Sequence, residues 1–149
     1  DIKPAVLDRA LELGADHAFD SRDEQLKDKI ADVTGGRKLD VAFDAVGLKS
    51  TFEQALDCVR VGGRLVAVGM SDQSPTVGPT AMFGLTHKQV LGHLGYQNVD
   101  IETLVTLVSR GRLDVSRSIS DIVSLEDVTA GIEQLEDPDG NAIRILVKP

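Results

Sequence analysis

Residues 39–70 limit the possible folds of this chain more than any other stretch. They read Leu39-Asp40-Val41-Ala42-Phe43-Asp44-Ala45-Val46-Gly47, then a helical pattern, then Gly62-Gly63-Arg64-Leu65-Val66-Ala67-Val68-Gly69-Met70. Two apolar, valine-rich runs joined through a helix and showing no polar alternation predict strands of a buried parallel sheet. Ser50 and Glu53 have the spacing of a capping box. Phe52, Ala55, Leu56 and Val59 then fall on one helical face, and Gly62-Gly63 predicts the stop. In open parallel sheets ligands bind at the carboxyl ends of the strands. Val46-Gly47 and Gly69-Met70 occupy those ends, where glycine permits close approach to the backbone.

The rest of the chain keeps the same rhythm. A helix is predicted over Pro4 to Leu13, a strand over Ala15 to Asp20, and a helix opened by a Ser21/Glu24 capping box and closed by Thr34-Gly35-Gly36. A helical turn follows within Thr80 to Thr86, then a strand over Lys88 to Tyr96 and a helix over Asp100 to Arg110. Phe19, Phe43, Ala67 and Leu91 recur every 24 residues. This is the pace of alternating strands and helices, and it predicts a doubly wound α/β sheet. The pace breaks after Gly111. Val115 to Ile122 reads as extended, Ser124 as the start of a helix, Asp137-Pro138-Asp139-Gly140 as a turn and Ile143 to Val147 as a last strand. The expected division is 1–97 and 98–149.

Composition excludes several classes. Net charge is −8, from 16 Lys and Arg against 24 Asp and Glu. No basic cluster of the kind that binds nucleic acid is legible. No apolar run approaches the roughly 20 residues that span a membrane. One cysteine, Cys58, rules out an internal disulfide and a cysteine-rich metal site, and a cytoplasmic setting is expected. His17, His87 and His93 do not have zinc-site spacing with Cys58.

The order of these segments resembles the zinc-type alcohol dehydrogenases of the medium-chain dehydrogenase/reductase superfamily. The likeness is carried by Asp1-Ile2-Lys3-Pro4, Ala10-Leu11-Glu12-Leu13-Gly14-Ala15-Asp16, the two runs of residues 39–70, and Gly140-Asn141-Ala142-Ile143-Arg144-Ile145-Leu146-Val147. It implies a partial Rossmann-type doubly wound parallel sheet, lacking the first strand and its Gly-rich loop, with a C-terminal return segment. The resemblance covers only that portion, so a fragment of a longer enzyme with unpaired strand edges is expected.

The resemblance also implies roles. Asp1 would end the family's second strand and accept the adenosine ribose hydroxyls, which favours NAD over NADP; read from the residues alone, it is rather a cap near a helix N-terminus. The family's ribose-binding lysine falls on Val6, leaving Lys3 as its substitute. Ala45, Val46 and Gly47, then Val68, Gly69 and Met70, and Leu94 with Gly95 would line the cofactor cleft. The adenine pocket would be aliphatic, with Val46 and Leu48 in its wall. Asp44 is left open between capping the next helix and facing the cleft. The implied activity is hydride transfer between NAD and an alcohol or polyol, with zinc held by residues outside this chain. A zinc-free NADPH-dependent quinone-type reductase and a non-catalytic nucleotide-binding module are the alternatives. A homo-oligomer would form through the Lys88–Tyr96 edge strand.

Overall fold

The computed structural model describes residues 1–137 and 140–149. Its elements in order are α1 (Pro4–Glu12), α2 (Leu26–Val33), β1 (Leu39–Asp44), α3 (Lys49–Cys58), β2 (Val59–Ala67), α4 (Thr80–Thr86), β3 (Gln89–Gly92), α5 (Asn98–Ser109), a 3-10 turn (Ser116–Ser118), β4 (Asp121–Ser124), α6 (Val128–Glu136) and β5 (Ile145–Lys148). They form two compact units. The first contains Asp1–Ile2 and Ala15–Gly95, the second Lys3–Gly14 and Tyr96–Pro149.

The first unit is built on a parallel sheet in the order β1-β2-β3. Register rows run Phe43–Val66–Leu91 and Asp44–Ala67–Gly92, so the three carboxyl ends lie level. The residues of β1 alternate: Ala42 and Asp44 are buried, while Phe43 is 70% exposed on the opposite face. Helix α3 covers the buried face. Phe52 and Leu56 meet Ala42, Val59 and Leu65, and the last two are fully buried. A smaller cluster joins Leu26 and Ile30 of α2 to Cys58, with Phe19 and Leu39 at its margin. Full burial of an aliphatic side chain contributes about 1.5–3 kcal/mol, so this short list holds the unit together.

The structure corrects several expectations. Gly62 and Gly63 do not stop α3. The helix ends at Cys58, and both glycines lie within β2, where the register jumps from Leu39–Val59 to Val41–Arg64. Val59 is a strand residue, buried all the same. Neither capping box forms. Helix α3 begins at Lys49, and its Lys49 N–H goes to Gln73 Oε1 at 2.7 Å. Helix α2 begins only at Leu26, because Asp20 and Asp23 accept the Arg22 and Gln25 N–H groups and hold residues 20–25 as turns. Residues 15–20 are not a strand. They meet Asp1, whose amino group donates to Phe19 O while Ser21 N–H donates to Asp1 O. A strand is defined by its partners, and two backbone bonds to a single residue do not make a ladder. The strand expected over Lys88 to Tyr96 is confined to Gln89–Gly92.

In the second unit β4 and β5 pair in parallel across α6, a small strand–helix–strand unit. Ser124 ends β4 rather than opening a helix, and its hydroxyl donates to Asp127 Oδ2 at 2.8 Å. Helix α5 has a cap not read from the sequence, Gln97 N–H to Asp100 Oδ2 at 2.8 Å. Arg9 of α1 donates to Asn141 O at 3.1 Å. Pro138 and Asp139 of the expected turn lie outside the described residues.

Candidate cofactor cleft

Because the strands are parallel, the segments following β1, β2 and β3 emerge on one side of the first unit. Residues 45–48 follow Asp44, residues 68–70 follow Ala67, and residues 93–95 follow Gly92. Ala45, Val46, Gly47, Val68, Gly69, Met70 and Leu94 therefore share that end of the sheet. Val46, Met70 and Leu94 are exposed there. Lys3 belongs to the second unit, where its carbonyl accepts the first amides of α1 from Val6 and Leu7.

Asp1, Val46 and Leu48 come together around a cavity of about 360 Å³ in the first unit, with Arg22, Thr51 and Gln54 also in its wall. The cavity combines a carboxylate, two aliphatic walls and several hydrogen-bonding groups. Sequence reasoning did not single out Arg22, Thr51 or Gln54. Thr51 and Gln54 sit on the cleft side of the amphipathic helix α3, each one residue before an apolar position of its packed face, Phe52 and Ala55. Gln54 Nε2 donates to Ser21 O at 2.8 Å, which fixes residue 21 in the wall.

The charges here are partly spent. Arg22 grips Asp20 with two bonds, Nε to Oδ1 at 3.0 Å and Nη2 to Oδ2 at 2.6 Å, and also reaches Ile2 O. That guanidinium holds the Asp20 carboxyl down at about 2, chiefly through the side-chain hydrogen bond. Asp1 Oδ1 accepts Ile2 N–H at 2.7 Å, which orients the carboxylate.

Asp44 settles as a structural anchor at this end. It is 4% exposed, and its Oδ1 accepts Val46 N–H and Gly47 N–H, each at 3.1 Å, and the Thr51 hydroxyl at 3.0 Å. The glycines also bring the two loops together. Gly47 has φ +85°, and a Cβ there would stand 2.5 Å from Gly69 C and Met70 N. A Cβ on Gly69 would stand 2.3 Å from Gly47 N and Val46 C. The two loops press backbone on backbone, which only glycine allows.

Among the described residues no group of three or more His, Cys, Asp or Glu side chains is placed to hold a metal ion. No helix among them is long and apolar enough to cross a membrane.

A parallel sheet with helices between its strands and glycine loops meeting at its carboxyl ends is part of a Rossmann-type domain. Residues 1–110 match the zinc-binding dehydrogenase family, and the chain belongs to it. An alcohol dehydrogenase of Cupriavidus necator is 27% identical over 96% of this chain and 40% of its own length. A sorbitol dehydrogenase of Bacillus subtilis is 26% identical over 100% of this chain and 42% of its own. Among solved structures, an alcohol dehydrogenase from Thermus sp. ATN1 superposes with a TM-score of 0.89 at 27% identity, covering 99% of this chain and 42% of that one. The chain thus spans about two fifths of the length of these relatives.

Proposed function

We propose that this chain supplies part of the NAD cleft of a zinc-type alcohol or polyol dehydrogenase. The observation that carries the reading is the cavity that gathers Asp1, Val46 and Leu48 beside the strand-end loops. In it the Asp1 carboxylate accepts the adenosine ribose hydroxyls and disfavours a 2′-phosphate by charge. Val46 and Leu48 give an aliphatic seat for adenine. The backbone at Ala45–Gly47, Val68–Met70 and Leu94 borders the rest of the cofactor. NAD, when bound, accepts or returns the hydride. This chain's residues bind and orient and move no proton. The zinc of the whole protein supplies Lewis-acid polarisation of an alcohol or carbonyl substrate, through ligands outside these residues.

The relatives' names, an alcohol and a sorbitol dehydrogenase, support this substrate class. Residues 1–97 form the cofactor-binding part on this reading, and 98–149 the part returning to the catalytic domain. We place the protein in the cytoplasm, in keeping with its lone buried thiol, Cys58. Strand β3 ends the sheet order, and the Lys88–Tyr96 segment that contains it is the proposed edge of a homodimer.

Titration calorimetry of the chain with NADH and with NADPH tests the proposal. NADH is expected to bind more tightly than NADPH by at least about tenfold, the effect of one unfavourable charge contact of roughly 1.4 kcal/mol. Equal affinities, or preference for NADPH, contradict the role given to Asp1.

A further inference from the structure

Asp44 lies at the junction of two loops that the proposed cleft uses separately. Its side chain holds the first loop through Val46 N–H, Gly47 N–H and Thr51 Oγ1. Its carbonyl holds the second, accepting Val68 N–H at 2.9 Å and Gly69 N–H at 2.8 Å. Three further contacts tie the loops to each other. Gly47 and Gly69 touch backbone to backbone, with no room for a methyl on either. The Ser71 hydroxyl donates to Gly47 O at 2.6 Å. Gln73 Oε1, further along the second loop, accepts the first free amide of α3 from Lys49.

A buried carboxylate with three donors on one oxygen is an expensive group to desolvate, and it is kept where those bonds are all made. Here they leave neither loop an independent way to move. If residues 45–48 shift outward, Gly47 must pull away from Gly69 and from Ser71. If residues 68–71 shift, the Asp44 carbonyl loses both its donors and the strand end that carries the carboxylate is released.

We propose that the loops after β1 and β2 form one interlocked body, and that Asp44 is a positioning residue setting both walls of the cofactor cleft at once. The lock itself is a property of these contacts. Its bearing on the cofactor rests on the reading given under Proposed function. Asp44 touches no cofactor atom in this scheme. It acts by fixing where the Val46 side chain and the Gly69 backbone stand.

Residue-resolved amide hydrogen exchange on the isotopically labelled chain tests the lock, and NADH titration of the same samples tests its bearing on the cofactor. In Asp44→Ala, exchange is expected to rise about tenfold or more at Val46 and Gly47, which lose their acceptor. It is also expected to rise at Val68 and Gly69, whose acceptor is the untouched main-chain carbonyl. Asp44→Asn keeps an oxygen acceptor in the same place and is expected to restore protection at all four. Faster exchange confined to Val46 and Gly47 overturns the lock. The His93 amide, bonded to Ala67 O on β2, reports whether the sheet survives. If it too is exposed, Ser71→Ala, which removes one link between the loops, decides the matter: joint loss of protection at Gly47 and Gly69 supports the lock, and no change at either overturns it. NADH affinity is expected to fall in step with protection. Coupled exchange with unchanged NADH affinity overturns the positioning role and leaves the mechanical coupling standing. A wild-type chain that binds no NADH at all refutes the cofactor reading alone.

Discussion

Replacing Gly47 with alanine isolates the contact that shapes the cleft. Two costs follow from the structure. At φ +85° the new residue sits in the left-handed region, worth roughly 1–2 kcal/mol for an L side chain. Its Cβ also falls 2.5 Å from two backbone atoms of residues 69 and 70. Ordinary carbon contacts lie at about 3.5 Å or more, so the loops must part by roughly 1 Å. That displacement loosens the Val68 and Gly69 amides from Asp44 O, at about 1 kcal/mol each. The sum is about 3–4 kcal/mol. Gly36→Ala is the matched control, since Gly36 has φ +78° with nothing within 4 Å of an added Cβ. It bears only the backbone term. In urea melts, where small proteins lose about 1–3 kcal/mol per molar denaturant, Gly47→Ala is expected to lower the midpoint by at least about 1 M. It is expected to exceed Gly36→Ala by roughly 2 kcal/mol. Equal effects of the two substitutions refute the claim that Gly47 is required for loop contact.

Other outcomes follow from the same contacts. Leu65→Ala, at a fully buried position between β1, β3 and α3, is expected to cost about 2–5 kcal/mol by the same urea assay. Asp20→Asn frees Arg22 from its two-bond grip beside the cavity and is expected to move preference toward NADPH by about tenfold in calorimetry, since Arg22 then has a fork to offer a 2′-phosphate. Acid titration of stability also involves Asp20. Its folded pKa, about 2, lies below the ordinary carboxylate value, so its contribution is fully present above the unfolded pKa near 3.8 and is lost as pH falls toward 2. Circular dichroism melts are expected to show Asp20→Asn with a shallower loss between pH 5 and pH 2 than the native chain, a window of about three units. Burial raises the Cys58 thiol above its ordinary pKa, and a thiol reagent at neutral pH is expected to label it only at the rate of unfolding.

The fold was legible where short-range pattern and long-range packing agree. Apolar runs at Leu39–Phe43 and Leu65–Ala67 mark β1 and β2 because these strands have partners and a helix to cover them. Helix starts were misread where a local capping pattern competes with a more distant partner. Ser21 gives its N–H to Asp1 O, and Asp23 rather than Ser21 organises the approach to α2. Near Ser50, the open amide of Lys49 finds Gln73, 24 residues away in sequence. The sequence leaves Asp44 open between a helix cap and the cleft, because its bonds to Thr51 and to both loops depend on tertiary placement. The glycines at 47 and 69 were noticed as strand ends. That they face each other is set by the register of β1 on β2, which no local pattern records.

The most direct test of the central claim is mapping NADH onto the backbone by amide chemical-shift perturbation. The account predicts that the largest shifts fall at residues 45–48, 68–70 and 93–95, with Arg22 and Gln54 beside them, and that NADPH moves the same amides at higher concentration. Shifts concentrated elsewhere, for instance at Arg9 and residues 140–143 of the second unit, would contradict it.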